Sequence, residues 1–172
     1  MDTIATMTAN ADRDAFGALL QRHSGIVFKV ANTYARLAED RADLAQEIAA
    51  QLWRAYPKYD RARSFSTWMY RVALNVAISH VREQSSRQRH DAVPLDDDMH
   101  DVADAGAGDH EREQHIRLLQ DFIQRQAPLD RALLLLYLED HPQRGIAEIL
   151  GITESNVSTK IGRLKQRIRD EL

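Results

Sequence analysis

The segment from Arg144 to Arg163 constrains this chain most. Ala147 stands where two crossing helices leave room only for a small side chain, and Gly151, four residues later, where a tight turn calls for positive φ. Val157, six further on, is placed to bury an apolar knob from a second helix. Small residue, glycine and apolar residue at these offsets predict a helix-turn-helix. The pattern suits a helix offered to the major groove of DNA, and it also suits a plain structural helical hairpin.

A chain of 172 residues accommodates one medium domain or two small ones. The absence of cysteine excludes disulfides, thiolate zinc sites and thiol catalysis. The longest apolar run, Ala132 to Leu138, falls well short of the roughly 20 residues that span a bilayer. No basic start followed by an apolar core marks a secretory signal, so a soluble cytoplasmic protein is expected, without membrane insertion. Net charge is −3, an unpromising value for a nucleic-acid binder, but its distribution is uneven. Eight acids and no Lys or Arg lie between Asp91 and Glu111; without them the chain carries +5. That stretch, with Pro94, Gly106 and Gly108, reads as a flexible acidic linker between two helical domains.

Both flanks read as helix, and neither shows strand alternation. The first flank predicts helices from Asp14 to Arg22, from a Ser24 cap, from Asp40 to a stop at Pro57, and from a Ser64 cap to about Gln88. The second predicts helices over about 110–125 and 129–139 before the helix-turn-helix. In the helix after Ser64, Phe65, Met69, Val72 and Val76 form an apolar stripe, and Arg71, Asn75 and Arg82 an adjacent polar one. Six arginines and one acid lie between residues 61 and 89, a balance that favours a nucleic-acid partner. Trp68 and Tyr70 are each suited to stacking on unpaired bases, although core packing is the commoner use of such rings. Asp40, Asp43 and Glu47 share one face of the preceding helix with Leu44 and Ile48 alongside. They form either an ordinary solvated face or a contact for a basic protein surface. Catalysis has little support: the seven histidines show no ligand spacing, no glycine-rich phosphate loop is present, and the densest acids lie in the linker. No enzyme activity, cofactor, metal or small-molecule substrate is expected.

Three segments, in order, resemble the bacterial sigma-70 family and most of all its two-domain extracytoplasmic-function group. They are Asp43-Leu-Ala-Gln-Glu47, Phe65-Ser-Thr-Trp-Met-Tyr-Arg-Val-Ala73 with Asn75, and Ile146-Ala-Glu-Ile-Leu-Gly-Ile-Thr-Glu-Ser-Asn-Val157. The resemblance implies an all-α fold: a region 2-like helical bundle over 10–90, the linker over 91–111, and a region 4-like helix-turn-helix domain over 112–172. It implies promoter-specific initiation with core RNA polymerase and promoter DNA as partners, and an anti-sigma factor as a further one. Asp40, Asp43, Leu44 and Glu47 would meet polymerase. Lys58, Arg61, Arg63, Trp68, Arg71, Asn75 and Arg82 would open and read the −10 element, with Arg71, Asn75 and Arg82 holding a flipped base. Ser155, Asn156, Ser158, Thr159, Lys160 and Arg163 would face the −35 major groove, while Val157, Ile161, Leu164 and Ile168 face the core. Two departures from the family pattern stand out: Leu74 before Asn75 predicts a less basic −10 surface, and Gly162 interrupts the recognition helix. The alternatives are a stand-alone helix-turn-helix regulator and a sigma-like interaction protein without promoter activity.

Overall fold

A computed structural model describes residues 2–90 and 110–172, with side chains from residue 8 onward except that of His90. The stretch read as linker lies outside the described residues as far as 109, and its last two residues open a helix. The first half contains α1 (Asp2–Arg22), α2 (Ser24–Tyr34), α3 (Ala38–Ala55), a 3-10 turn (Tyr56–Lys58) and α4 (Phe65–His90). The second contains α5 (His110–Gln124), α6 (Pro128–Leu138), α7 (Gln143–Leu150) and α8 (Glu154–Glu171). No strand occurs among the described residues.

Periodicity explains the first core. Leu44, Ile48 and Leu52 recur every four residues on α3 and are all fully buried. They join Val30 and Ala31 of α2 and Met69, Ala73 and Ala77 of α4, whose small residues suit close helix approach. Phe16 of α1 closes one end, with its ring centroid 5.2 Å from Trp53 and 4.9 Å from Tyr56.

Helix starts differ from the sequence expectation for identifiable reasons. Ser24 does not cap α2; His23 holds that position without a side-chain bond. Its N–H still bonds Leu19 O (3.1 Å) while its own carbonyl accepts from Ile26 N (3.0 Å), so α1 runs into α2 with no room for a cap. Likewise α3 starts at Ala38, and Glu39 and Asp40 occupy its first turn, where carboxylates favour the positive end of the helix dipole. Ser64 precedes α4 as expected, but its hydroxyl pairs with that of Ser66 (3.0 Å). Gly151 ends α7 at φ +67°, with its N–H on Ala147 O (2.9 Å), and Thr153 caps α8 by accepting from Asn156 N (3.1 Å). Asp140, at φ +57°, makes a similar left-handed turn after α6 that the sequence did not signal.

The two halves pack against each other, chiefly α2 and α4 against α6 and α7. α6 is the wedge. It buries Ala132, Leu133, Leu134 and Leu136, an arc of about 200° at 100° per residue, twice the stripe of an ordinary surface helix. Polar groups cross the same boundary. The Tyr34 hydroxyl donates to Pro128 O (2.6 Å), and burial raises its pKa, keeping it a donor. Gln124 Nε2 donates to Thr33 O (3.0 Å) at the end of α2, satisfying a carbonyl that helix geometry leaves open. Lys29 pairs with Glu139, and Tyr70 sets its ring edge-on to His141 at 5.1 Å.

The His141 site makes this packing sensitive to acid. Desolvation lowers the imidazole pKa from 6.5; Glu139 opposes the shift and Lys29 adds to it. The folded state therefore favours neutral His141, and below about pH 6.5 the unfolded chain binds the extra proton first. Stability is expected to fall as pH drops through that value, and His141→Gln to flatten the slope in denaturant melts between about pH 7.5 and about pH 5.5.

Candidate nucleic-acid interface

The surface around the α3–α4 junction rests on clustered rings. Tyr59 packs on Phe65 (5.4 Å, 86°) and Trp68 (4.9 Å, 43°), and Trp68 also meets Phe65 (5.3 Å) and Tyr56 (6.3 Å). The Tyr59 hydroxyl donates to Arg63 O (2.6 Å), while Ala62 N donates to Asp60 Oδ1 (3.0 Å). These bonds fold residues 60–63 into a compact turn that carries Lys58, Arg61 and Arg63 outward, all exposed.

On α4, Trp68, Arg71, Asn75 and Arg82 fall within an arc of about 60° at 100° per residue. Arg71, Asn75 and Arg82 are exposed; Trp68 is half-buried in the ring cluster. Among the described residues no carboxylate lies within ion-pair distance of Arg63, Arg71 or Arg82, leaving their guanidinium groups available for phosphates. Tyr70 is buried and takes the core role. Leu74 requires a correction: it is 1% exposed and points into the core, so it does not dilute the basic surface. Its place one turn beyond Tyr70 accounts for the apolar choice.

The acidic patch is only partly a surface. Asp43 and Glu47 are exposed and Asp40 is half-buried, all three on one face of α3. Leu44 is fully buried, so contrary to its assignment as a polymerase contact it anchors this helix in the core. Glu47 Oε2 also lies 3.4 Å from His80 Nδ1 of α4, a partner the sequence did not indicate.

Helix α8 divides cleanly. Val157, Ile161 and Leu164 are buried and Ile168 half-buried, within about 60° of one another. Ser155, Asn156, Ser158, Thr159 and Arg163 are exposed on the other side. Lys160 departs from the expected set: its Nζ reaches Asp130 Oδ1 of α6 at 3.8 Å, which turns it towards the protein. Lys165 and Arg167 are similarly engaged over the rings of Tyr137 (4.6 Å) and Phe122 (5.7 Å). Arg163, by contrast, is exposed with no carboxylate within ion-pair distance among the described residues. Sequence reasoning also missed Trp53, an exposed ring next to the α3 core stripe; its position just off the Leu44–Ile48–Leu52 row was the available signal. Among the described residues no three His, Asp or Glu side chains gather to hold a metal ion.

An exposed basic helix set on aromatic rings, joined in one chain to a helix-turn-helix, defines the class: an all-α DNA-binding protein. Residues 19–87 match the family described as Sigma-70 region 2, and residues 116–168 match Sigma-70, region 4. The chain belongs to the sigma-70 family, in its extracytoplasmic-function group. It is 25% identical over 169 residues (93% of this chain) to the probable RNA polymerase sigma factor RfaY of Xanthomonas campestris pv. campestris, and spans 41% of that protein's length. It is 25% identical over 170 residues to the ECF RNA polymerase sigma factor SigW of Bacillus subtilis, covering 94% of this chain and 90% of SigW. In fold it matches the sigma factor RpoE, solved with the anti-sigma factor NepR from Bartonella quintana. The TM-score is 0.72 at 15% identity, over 91% of this chain and 95% of the other.

The glycine inside α8 yields a test. A Cβ on Gly162 would meet nothing within 4 Å, so the fold does not require glycine there. Gly162→Ala is expected to raise stability by about 0.5–1 kcal/mol in denaturant unfolding, the usual helix-interior difference.

Proposed function

We propose that this protein acts in the cytoplasm as a dissociable promoter-specificity subunit. It binds core RNA polymerase and directs initiation at promoters carrying its −10 and −35 elements. The observation that carries this reading is the pair of exposed polar and basic surfaces, Arg71, Asn75 and Arg82 on α4 and Ser155, Ser158, Thr159 and Arg163 on α8, within one chain. A lone operator-binding module needs only the second. In support, no helix among the described residues is long and apolar enough to cross a membrane, and the matching regions are those of sigma factors.

Each surface has a distinct task. Asp43 and Glu47 dock on a basic polymerase surface, with Asp40 at the edge. Lys58, Arg61 and Arg63 grip the backbone near the −10 element, and Arg71, Asn75 and Arg82 meet bases exposed as the duplex opens. Ser155, Asn156, Ser158, Thr159 and Arg163 enter the −35 major groove. The two elements are about 25 base pairs apart, or roughly 85 Å at 3.4 Å per pair. A compact chain of this length has a radius of gyration of only about 16 Å. The halves must therefore part on a promoter, exchanging the α6 interface for contacts to polymerase and DNA. An anti-sigma factor is a further partner in this reading, one that would hold the protein off polymerase.

Run-off transcription with purified core polymerase on promoter-containing genomic fragments tests the reading. Defined transcripts are expected only when the protein is added; their absence on every fragment would overturn it. Arg163→Ala should reduce output from promoters with a −35 element by the equivalent of about 1–3 kcal/mol, and unchanged output would remove its base-reading role. The double variant Asp43→Arg, Glu47→Arg should abolish core-polymerase binding in a pull-down while retaining native helicity. Unaltered binding would sink the docking assignment.

A further inference from the structure

At the edge of the acidic patch a polar contact ties α3 to a histidine of α4. His80 places Nδ1 3.4 Å from Glu47 Oε2. Its Nε2 lies 3.1 Å from Gln84 Nε2, one turn further along α4. An amide nitrogen only donates, so Gln84 makes Nε2 the acceptor and leaves the proton of the neutral ring on Nδ1, facing Glu47. When the ring gains a second proton, a half-turn of the Gln84 amide presents Oε1, and both ring nitrogens donate. Either charge state of His80 therefore keeps its hydrogen bond to Gln84. Glu47 is 53% exposed and His80 only 22%, so the carboxylate reaches a partner that the ring does not. Among the described residues Glu47 is the sole carboxylate within ion-pair distance of His80. The other charged side chains on these two faces are Asp43, one turn before Glu47, and Glu83 and Arg87 on α4, all exposed. On α2 only Lys29 is charged, and it pairs with Glu139. The loop between α6 and α7 meets α4 at Tyr70, about 15 Å from His80 along the helix axis.

We propose that His80 is a positioning residue for polymerase docking and makes that docking pH-dependent. The protonated ring pairs with Glu47 and withdraws its charge from the basic polymerase surface; the neutral ring leaves the carboxylate available. Histidine is the side chain whose charge ordinarily changes in the physiological range. With Glu47 engaged, the fully exposed carboxylates of the patch fall from two to one, Asp43. Docking is then weaker in acid, and by reciprocity polymerase binding favours loss of the His80 proton. The inference rests on the docking role of Asp43 and Glu47 given above.

The test is equilibrium binding of labelled full-length protein to purified core polymerase, at fixed ionic strength, between about pH 8 and about pH 6. Wild-type affinity should fall about 2- to 5-fold more over that range than the affinity of His80→Gln, the size of one partly exposed ion pair. His141 is present in both proteins, so its titration cancels. Glu47→Gln imitates the neutralised pair and keeps Asp43, so at about pH 8 it should bind as weakly as wild type does at about pH 6. In that background His80→Gln should leave the pH profile unchanged. Circular dichroism at each pH ensures that folded proteins are compared. Parallel profiles for wild type and His80→Gln, with both binding, overturn the inference and leave the docking reading standing. Equal flattening by His80→Gln in the Glu47→Gln background also overturns it, because His80 then acts elsewhere. Failure of the wild-type protein to bind core polymerase at any pH overturns both readings.

Discussion

The packing of α3 on α4 is the constraint on which both ends of the first half depend. Leu44, Ile48 and Leu52 are removed from water completely, at roughly 1.5–3 kcal/mol apiece. Because these rows fill the core, the opposite faces are free to be polar in contrasting ways. On α3 that face is acidic, with Asp43 and Glu47. On α4 it is basic, with Arg71 and Arg82 around Asn75. One packed interface thus carries two surfaces of opposite charge, and the core orients both, as the proposed docking and DNA-reading roles need.

Charge placement explains how a chain of net charge −3 meets DNA. The acids outside the 91–111 stretch are not scattered evenly against the bases. Several hold particular cations in place: Glu139 with Lys29, Glu171 with Arg125 at 3.2 Å, and Asp130 with Lys160 at 3.8 Å. These exposed or half-exposed pairs add little stability. They do settle which basic groups remain for a partner. Arg71, Arg82 and Arg163 remain; Lys160 is drawn to α6.

The boundary between halves follows a different logic. Helix α6 is apolar over too wide an arc for one neighbour, and it finds a second in α2 and α4. Tyr34, Gln124 and the Tyr70–His141 pair make that boundary specific through directional bonds. The apolar cluster runs through this boundary, and polar bonds share it, as they do in contacts between domains of one chain. The proposed function, which spans two distant DNA elements, requires such a joint.

Periodicity and local chemistry were enough to make the helices legible, along with the left-handed turn at Gly151, the inward row of α8 and the polar stripe of α4. Each depends on residues close in sequence, whose relative directions an α-helix dictates. Asp43, Glu47, Arg163 and their neighbours could be placed on faces for the same reason. Contacts between residues distant in the chain could not be read this way. Leu74 looked like a surface anomaly until the packing of α4 placed it in the core, and Leu44 looked like part of a docking patch. Lys160, placed at the flank of the DNA-facing set, lies 3.8 Å from Asp130, thirty positions earlier. Trp53 meets Phe16 only because α1 folds back over the end of α3. Sequence by itself determined which faces each helix has; tertiary structure decided what each face meets, because burial and ion pairing depend on neighbours that only folding brings within reach.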